Sequence, residues 1–147
     1  MESPAAGLAP SSAPPRAAAE QTLCFLVVDN DPVHRMVIGK VGEKAGYAVT
    51  TAATADDAAT KLAHAKFDCI SLDAKLAGQH NLQVLRGVAR SHGDVLLIVV
   101  NSAAECVREE MIDSARDLRL TVVELPKPID LATLRTKLAG HAAIAQA

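Results

Sequence analysis

Cys24-Phe25-Leu26-Val27-Val28-Asp29-Asn30-Asp31-Pro32 decides the reading of the fold. Five apolar residues, of types that suit a pleated strand, stop at three acid or amide residues and a proline. Proline at a first helical position, behind side chains suited to capping, opens a helix. The stretch is therefore a strand that passes at once into a helix.

The same unit recurs along the chain. The first helix is expected to run through Val33, Val37 and Val41 and to stop at Gly46. With Met36 these valines form the expected core stripe, and His34, Arg35 and Ile38 the outward face. Tyr47 to Ala52 reads as a second strand, and Ala55 to Ala65 as a helix carrying Ala58 and Leu62 inward. Phe67 to Leu72 is the third strand and ends on Asp73. A helix near His80 to Ser91 groups Leu82, Leu85 and Val88. Val95 to Val100 is the most continuously apolar strand, as a central parallel strand should be. A helix over Ala103 to Arg116 presents Val107, Met111 and Ala115, and Thr121 to Leu125 is the fifth strand. A last helix from Asp130 is expected to bury Leu131, Leu134 and Leu138. Five strand–helix units with short joints predict an α/β fold, a five-stranded parallel sheet covered on both faces.

Residues 22–140 form that domain. Residues 1–21 are rich in Ala, Pro and Ser and hold four of the seven prolines, a composition expected to stay disordered because it buries too little surface to offset chain entropy. Residues 141–147 read as a short C-terminal tail. Half of the 147 residues are hydrophobic and 22% are charged, which suits a buried core. A net charge of -2, with scattered basic residues, gives no electrostatic reason to expect nucleic acid or an anionic membrane. Only Phe25, Tyr47 and Phe67 are aromatic, so base stacking has few candidates. Cys24, Cys69 and Cys106 are odd in number and not spaced as metal ligands, and read as free thiols in a reducing compartment. No apolar run has membrane-spanning length, and the first residues do not resemble a signal peptide. A cytoplasmic location is expected.

In an open parallel sheet the site lies beyond the carboxyl ends of the strands. The residues leaving strands one, three, four and five are Asp29-Asn30-Asp31, Asp73, Ser102 and Lys127. Two carboxylates about 4 Å apart repel by roughly 4 kcal/mol at an effective dielectric near 20. A divalent cation relieves that repulsion, and hard oxygen donors in an open site suit magnesium. A phosphoryl group needs its oxygens neutralised, by a metal on one side and an amine on the other. Lys127 supplies an amine and Ser102 a hydrogen bond. The chemistry such a pocket supports is attack of a carboxylate on phosphorus, giving an acyl phosphate.

At these residues the chain resembles the receiver domains of two-component response regulators, from about Leu23 to Leu138. The matching stretches are Leu26-Val27-Val28-Asp29-Asn30-Asp31-Pro32, Phe67-Asp68-Cys69-Ile70-Ser71-Leu72-Asp73, Ile98-Val99-Val100-Asn101-Ser102-Ala103 and Leu125-Pro126-Lys127-Pro128-Ile129-Asp130. Each is weak alone, but four in order, each at a strand end, are specific. The resemblance implies a flavodoxin-like doubly wound sheet of strand order 2-1-3-4-5 and a phosphoacceptor at Asp73. It implies Mg2+ held by Asp29, Asn30, Asp73 and the backbone carbonyl of Lys75, with Ser102 and Lys127 on the phosphoryl group. It further implies a cis Lys127–Pro128 peptide, a sensor histidine kinase or histidine phosphotransfer protein as partner, and a response face made by the fourth helix, fifth strand and fifth helix. With no room for a DNA-binding module after the last helix, a stand-alone receiver is expected, not an enzyme beyond its own phosphorylation and dephosphorylation.

The chain departs from the family pattern at four places. Asn30 stands where a second acid is usual, which should weaken Mg2+ about tenfold or more. Glu124 occupies the place of the usual Tyr or Phe of the switch. Leu76-Ala77 replaces the common Met-Pro after the acceptor, with Gly78 earlier than usual. The stretch from Ser102 to Lys127 is a few residues long for the family and carries the charged Arg116-Asp117-Leu118-Arg119.

Plainer roles stand beside these. Asp73 as a turn acid, Ser102 as a helix N-cap, and Lys75 or His80 as surface residues are ordinary alternatives. Lys75 can also pair with Asp29 or Asp73 when no metal is bound. Two other functions compete: a pseudo-receiver that binds partners with little phosphotransfer, favoured by Asn30 and Glu124, and a haloacid dehalogenase-like phosphatase. In the latter Asp29 of Asp29-Asn30-Asp31-Pro32-Val33 attacks and Asp31 is the general acid. That family needs a further acidic pair after its lysine, whereas only Asp130 follows here, and it leaves Asp73 without a role.

Overall fold

The computed structural model describes residues 22–73, 84, 86–88, 95–101, 112–113, 115–118 and 120–145. Strand β1 (Leu23–Val28) leads into helix α1 (Pro32–Lys44), then β2 (Tyr47–Ala52), α2 (Ala55–His64) and β3 (Cys69–Asp73). Strands β4 (Leu96–Asn101) and β5 (Thr121–Pro126) and helix α3 (Leu131–Ala145) follow. Residues 84, 86–88, 112–113 and 115–117 are also helical. The five strands are all parallel, in the order β2-β1-β3-β4-β5.

Why α1 begins where it does is local chemistry. Asp31 is the N-cap, its Oδ1 accepting from Val33 N at 2.9 Å and His34 N at 3.4 Å, with Pro32 in the first turn. The helix ends at Lys44, and Gly46 follows with φ +96°, a conformation that favours glycine. In α2 the cap is Thr54, whose Oγ1 accepts from Asp57 N at 3.0 Å.

Alternating strand residues build one core on each face of the sheet. On one face Leu26, Val28, Ile70, Leu72, Leu97 and Val99 pack with Ala58 and Leu62 of α2, and with Val84, Val88, Ile112 and Ala115. On the other Phe25, Val27, Cys69, Ile98, Val100 and Leu125 pack with Ile38 of α1 and with Leu134 and Leu138 of α3.

Three expectations need correction. The buried face of α1 is Ile38, Gly39 and Gly42, while Val33 and Met36 are 60% and 58% exposed and Val37 and Val41 are half-buried. The reason is close approach: a Cβ on Gly42 would lie 2.5 Å from Phe25 Cδ2, and one on Gly39 would lie 3.3 Å from Val49 Cγ1. Two glycines, not the valine stripe, set the phase of the helix. Leu131, expected inside, is 43% exposed at the start of α3, a turn before the first buried position at Leu134. Residues 141–145 continue α3 through Gly140 rather than forming a tail, and His141 Nε2 lies 2.8 Å from the Asp68 carbonyl oxygen. Cys24 is half-buried and Cys69 buried, both as free thiols. Cys106, residues 1–21, and the expected core positions Leu82, Leu85, Val107 and Met111 lie outside the described residues.

Candidate functional site

Strand register brings the site together. Val28 pairs with Leu72, so Asp29 and Asp73 leave adjacent strands at the same level. Asp73 pairs with Val100, and the Asn101–Pro126 pair on β4 and β5 places Lys127 on the same rim. Both carboxylates are only 1% exposed, at the ends of strands that are otherwise apolar except for the buried Ser71. Lys127 Nζ lies 3.1 Å from Asp73 Oδ2, a largely buried ion pair. The Lys127–Pro128 peptide is cis, as the resemblance implied.

Asp29 is held from several sides. Its N–H donates to the Ala52 carbonyl at 3.0 Å and its carbonyl accepts from Arg35 Nη1 at 2.8 Å. Its Oδ1 accepts from Asp31 N at 2.8 Å, but its Oδ2 is buried with no hydrogen-bond partner. Burial, above all, pushes the Asp29 carboxyl above the ordinary carboxylate range. The neighbouring Asp73 carboxylate adds to that rise, while the Asp31 N–H and the Lys127 charge oppose it.

The two residues after Asp29 are exposed. Asn30 is exposed on the rim. Asp31 is also exposed, and its carboxylate is spent on the α1 N-terminus, where the His34 and Val33 N–H groups hold its pKa below the ordinary value. Asp31 therefore does not replace the acid absent at Asn30. Glu124, in the middle of the edge strand β5, is exposed. Lys75, Ser102, His80 and the Leu76-Ala77-Gly78 stretch lie outside the described residues.

A divalent cation fits what is present. An orphaned buried carboxylate oxygen on Asp29, beside a second buried carboxylate that pairs with Lys127, offers the hard oxygen donors that such a cation takes. Among the described residues no group of three or more His, Cys, Asp or Glu side chains could hold an ion by itself. A shell here would draw its remaining donors from backbone, water or substrate.

His34 is the residue that sequence reasoning placed wrongly. It was expected on the outward face, yet its buried Nδ1 sits 3.5 Å from Asp29 Oδ2. The signal was available: Pro32 fixes the first turn, and helical side chains lean toward the N-terminus, here toward Asp29.

Residues 25–139 match the family model described as response regulator receiver domain. Among solved structures, a CheY-like receiver domain protein from Methanospirillum hungatei JF-1 superposes with a TM-score of 0.72 at 21% identity, covering 86% of this chain and 97% of that one. A response regulator from Thermotoga maritima gives 0.67 at 20%, covering 84% and 99%. A response regulator protein from Burkholderia pseudomallei, with a phosphorylated aspartic acid, a calcium ion and citrate, gives 0.66 at 23%, covering 84% and 71%. No curated protein matches in sequence.

Proposed function

The chain belongs to the response regulator receiver family, and on that premise we propose that it accepts a phosphoryl group on Asp73 from a phosphohistidine of a histidine kinase or phosphotransfer protein. The observation that carries this is the Lys127–Asp73 ion pair at 3.1 Å, buried beside Asp29 at the carboxyl ends of the strands. A carboxylate oxygen of Asp73 forms the new bond to phosphorus while the phosphorus–nitrogen bond to the donor imidazole breaks. Lys127 leaves Asp73 to hold a phosphoryl oxygen, and Ser102 donates to another. Mg2+, held by Asp29, Asp73 and the Lys75 carbonyl, would neutralise the phosphoryl charge; Asn30 supplies at most a neutral oxygen and weakens it. The phosphorylated aspartic acid and calcium ion of the Burkholderia pseudomallei protein support this reading.

The exposed face of α1, with Val33 and Met36 one turn apart and Lys40 beyond them, lies beside the pocket and suits docking of a partner helix. The protein signals through such contacts in the cytoplasm. Among the described residues no helix is long and apolar enough to cross a membrane.

Incubation with acetyl phosphate and Mg2+, followed by intact mass, should add one phosphoryl group to the wild type and none to Asp73→Ala. Equal labelling of the two would sink the proposal. No labelling of either would favour the pseudo-receiver, which the exposed Asn30 and Glu124 support. The phosphatase reading has lost its general acid, because Asp31 caps α1 and is held ionised.

A further inference from the structure

Arg35 is bonded twice to the loop that carries Asp29. Its backbone N–H donates to the Asp31 carbonyl at 2.9 Å, and its Nη1 donates to the Asp29 carbonyl at 2.8 Å. The first bond is an ordinary step of helix α1. The second is not, because a helix side chain reaches back to the carboxyl end of β1. One residue thus grips both ends of the segment 29–31, and its side chain, expected on the outward face, is half-buried.

That grip fixes the plane of a peptide. The Asp29–Asn30 amide turns as a unit with its carbonyl oxygen, so anchoring the oxygen sets the direction in which the chain leaves β1. On the other side, the Asp29 N–H is tied to the Ala52 carbonyl at 3.0 Å. The same turn places the Asp31 N–H, which donates to Asp29 Oδ1 at 2.8 Å and so orients the carboxylate. A guanidinium on a half-buried carbonyl makes a charge-assisted bond, among the stronger kinds, and its charge persists at any working pH.

The aim of Asp29 matters in this chain. Asn30 brings no charge, and the Asp31 carboxylate is spent on the α1 cap, so Asp29 is the acid this loop offers to a cation. We infer that Arg35 is a positioning residue of the phosphoacceptor pocket, holding the Asp29 carboxylate in place for the cation through the Asp29 backbone. The inference rests on the reading of the pocket given above. In this role Arg35 touches neither the ion nor the phosphoryl group. Groups that hold a metal-binding carboxylate from behind change affinity without contacting the metal.

The test compares the full-length wild type with Arg35→Met, which keeps the stem and removes the donors, and Arg35→Lys, which keeps a charge. Amide chemical shifts followed through Mg2+ titration give the affinity of each. Arg35→Met should bind Mg2+ roughly tenfold more weakly, the lower end of an outer-shell loss, and Arg35→Lys should fall in between. Should Arg35→Met not fold, the affinity of Arg35→Lys decides alone. In the metal-free chain the Asp31 amide should exchange faster in Arg35→Met, while amides of β1 and β3 keep their protection. Acetyl-phosphate labelling should slow at limiting Mg2+ and recover at saturating Mg2+.

A merely structural arginine gives a different split, a lower urea midpoint with Mg2+ affinity unchanged. That result would overturn the inference, as would a labelling deficit that saturating Mg2+ does not repair, or a wild type that binds no Mg2+. The two readings fail separately. Labelling of Asp73 alongside Arg35-independent Mg2+ affinity removes the positioning role alone. Absence of labelling alongside Arg35-dependent Mg2+ binding removes the phosphoacceptor role and leaves the positioning role standing.

Discussion

The two ends of the sheet use acidic residues in opposite ways. At the amino end, Asp68 ties two strands together: its Oδ2 accepts from Cys24 N at 2.8 Å and its N–H donates to the Cys24 carbonyl at 2.8 Å. Its own carbonyl takes the Leu96 N–H at 3.1 Å and faces His141 Nε2 at 2.8 Å. Nearby, Tyr47 OH donates to the Leu138 carbonyl at 2.7 Å, closing α3 onto the edge of the sheet. At the carboxyl end, Asp29 and Asp73 are buried more deeply, yet Asp29 Oδ2 has no hydrogen-bond partner, and Asp73 pairs with Lys127. A half-buried acid that ties two strands together, with water within reach of its other oxygen, is a structural latch. A buried carboxylate oxygen without a hydrogen bond, at some cost to stability, suits a ligand.

The largest expected effect tests the carboxyl end. Lys127→Met removes the cation from a buried pair and should cost about 3 kcal/mol of unfolding free energy in urea, the scale of an uncompensated buried charge. An unchanged midpoint would mean that the pocket is already hydrated and screened. Next is the amino end: Asp68→Ala leaves the Cys24 N–H without its acceptor and should cost about 2 kcal/mol. Acetyl-phosphate labelling should be unaffected in that variant, whereas a parallel loss would erase the distinction between the two ends.

The smallest effect has the opposite sign. Burial and Asp73 raise the Asp29 carboxyl above its ordinary value of 3.8, so the folded state holds that proton more tightly than the unfolded chain. Its contribution to stability is complete below 3.8 and is lost as pH rises through the raised folded value. Asp29→Asn, which keeps an acceptor for Asp31 N, should therefore be more stable than wild type at pH 7 and melt at a higher temperature. The gain should shrink on acidification and vanish below the ordinary carboxylate range. A gain independent of pH would show that the charge of Asp29 is not what strains the site.

Much of this molecule is legible in one dimension. Apolar runs that stop at Asp29, Asp73 and Lys127 mark the strand ends directly, because a strand buried on both faces admits almost nothing polar until it leaves the core. Helix phase was harder. The valines of α1 suggested one face and the structure chose another, since a glycine carries no hydrophobic signal and yet permits the contact of α1 with Phe25 and Val49. His34 was missed for a related reason: the misplaced phase turned it toward solvent.

Composition and pattern by themselves determined the class of fold, the order of its elements and the rim on which polar residues would gather. These follow from short-range rules, namely periodicity, capping and the cost of a polar group inside a strand. Only the tertiary structure decided that Lys127 pairs with Asp73, that Asp31 turns away to cap α1, and that His34 faces Asp29. Each depends on strand register and on how closely a helix approaches the sheet, and these are set by packing between residues far apart in the chain.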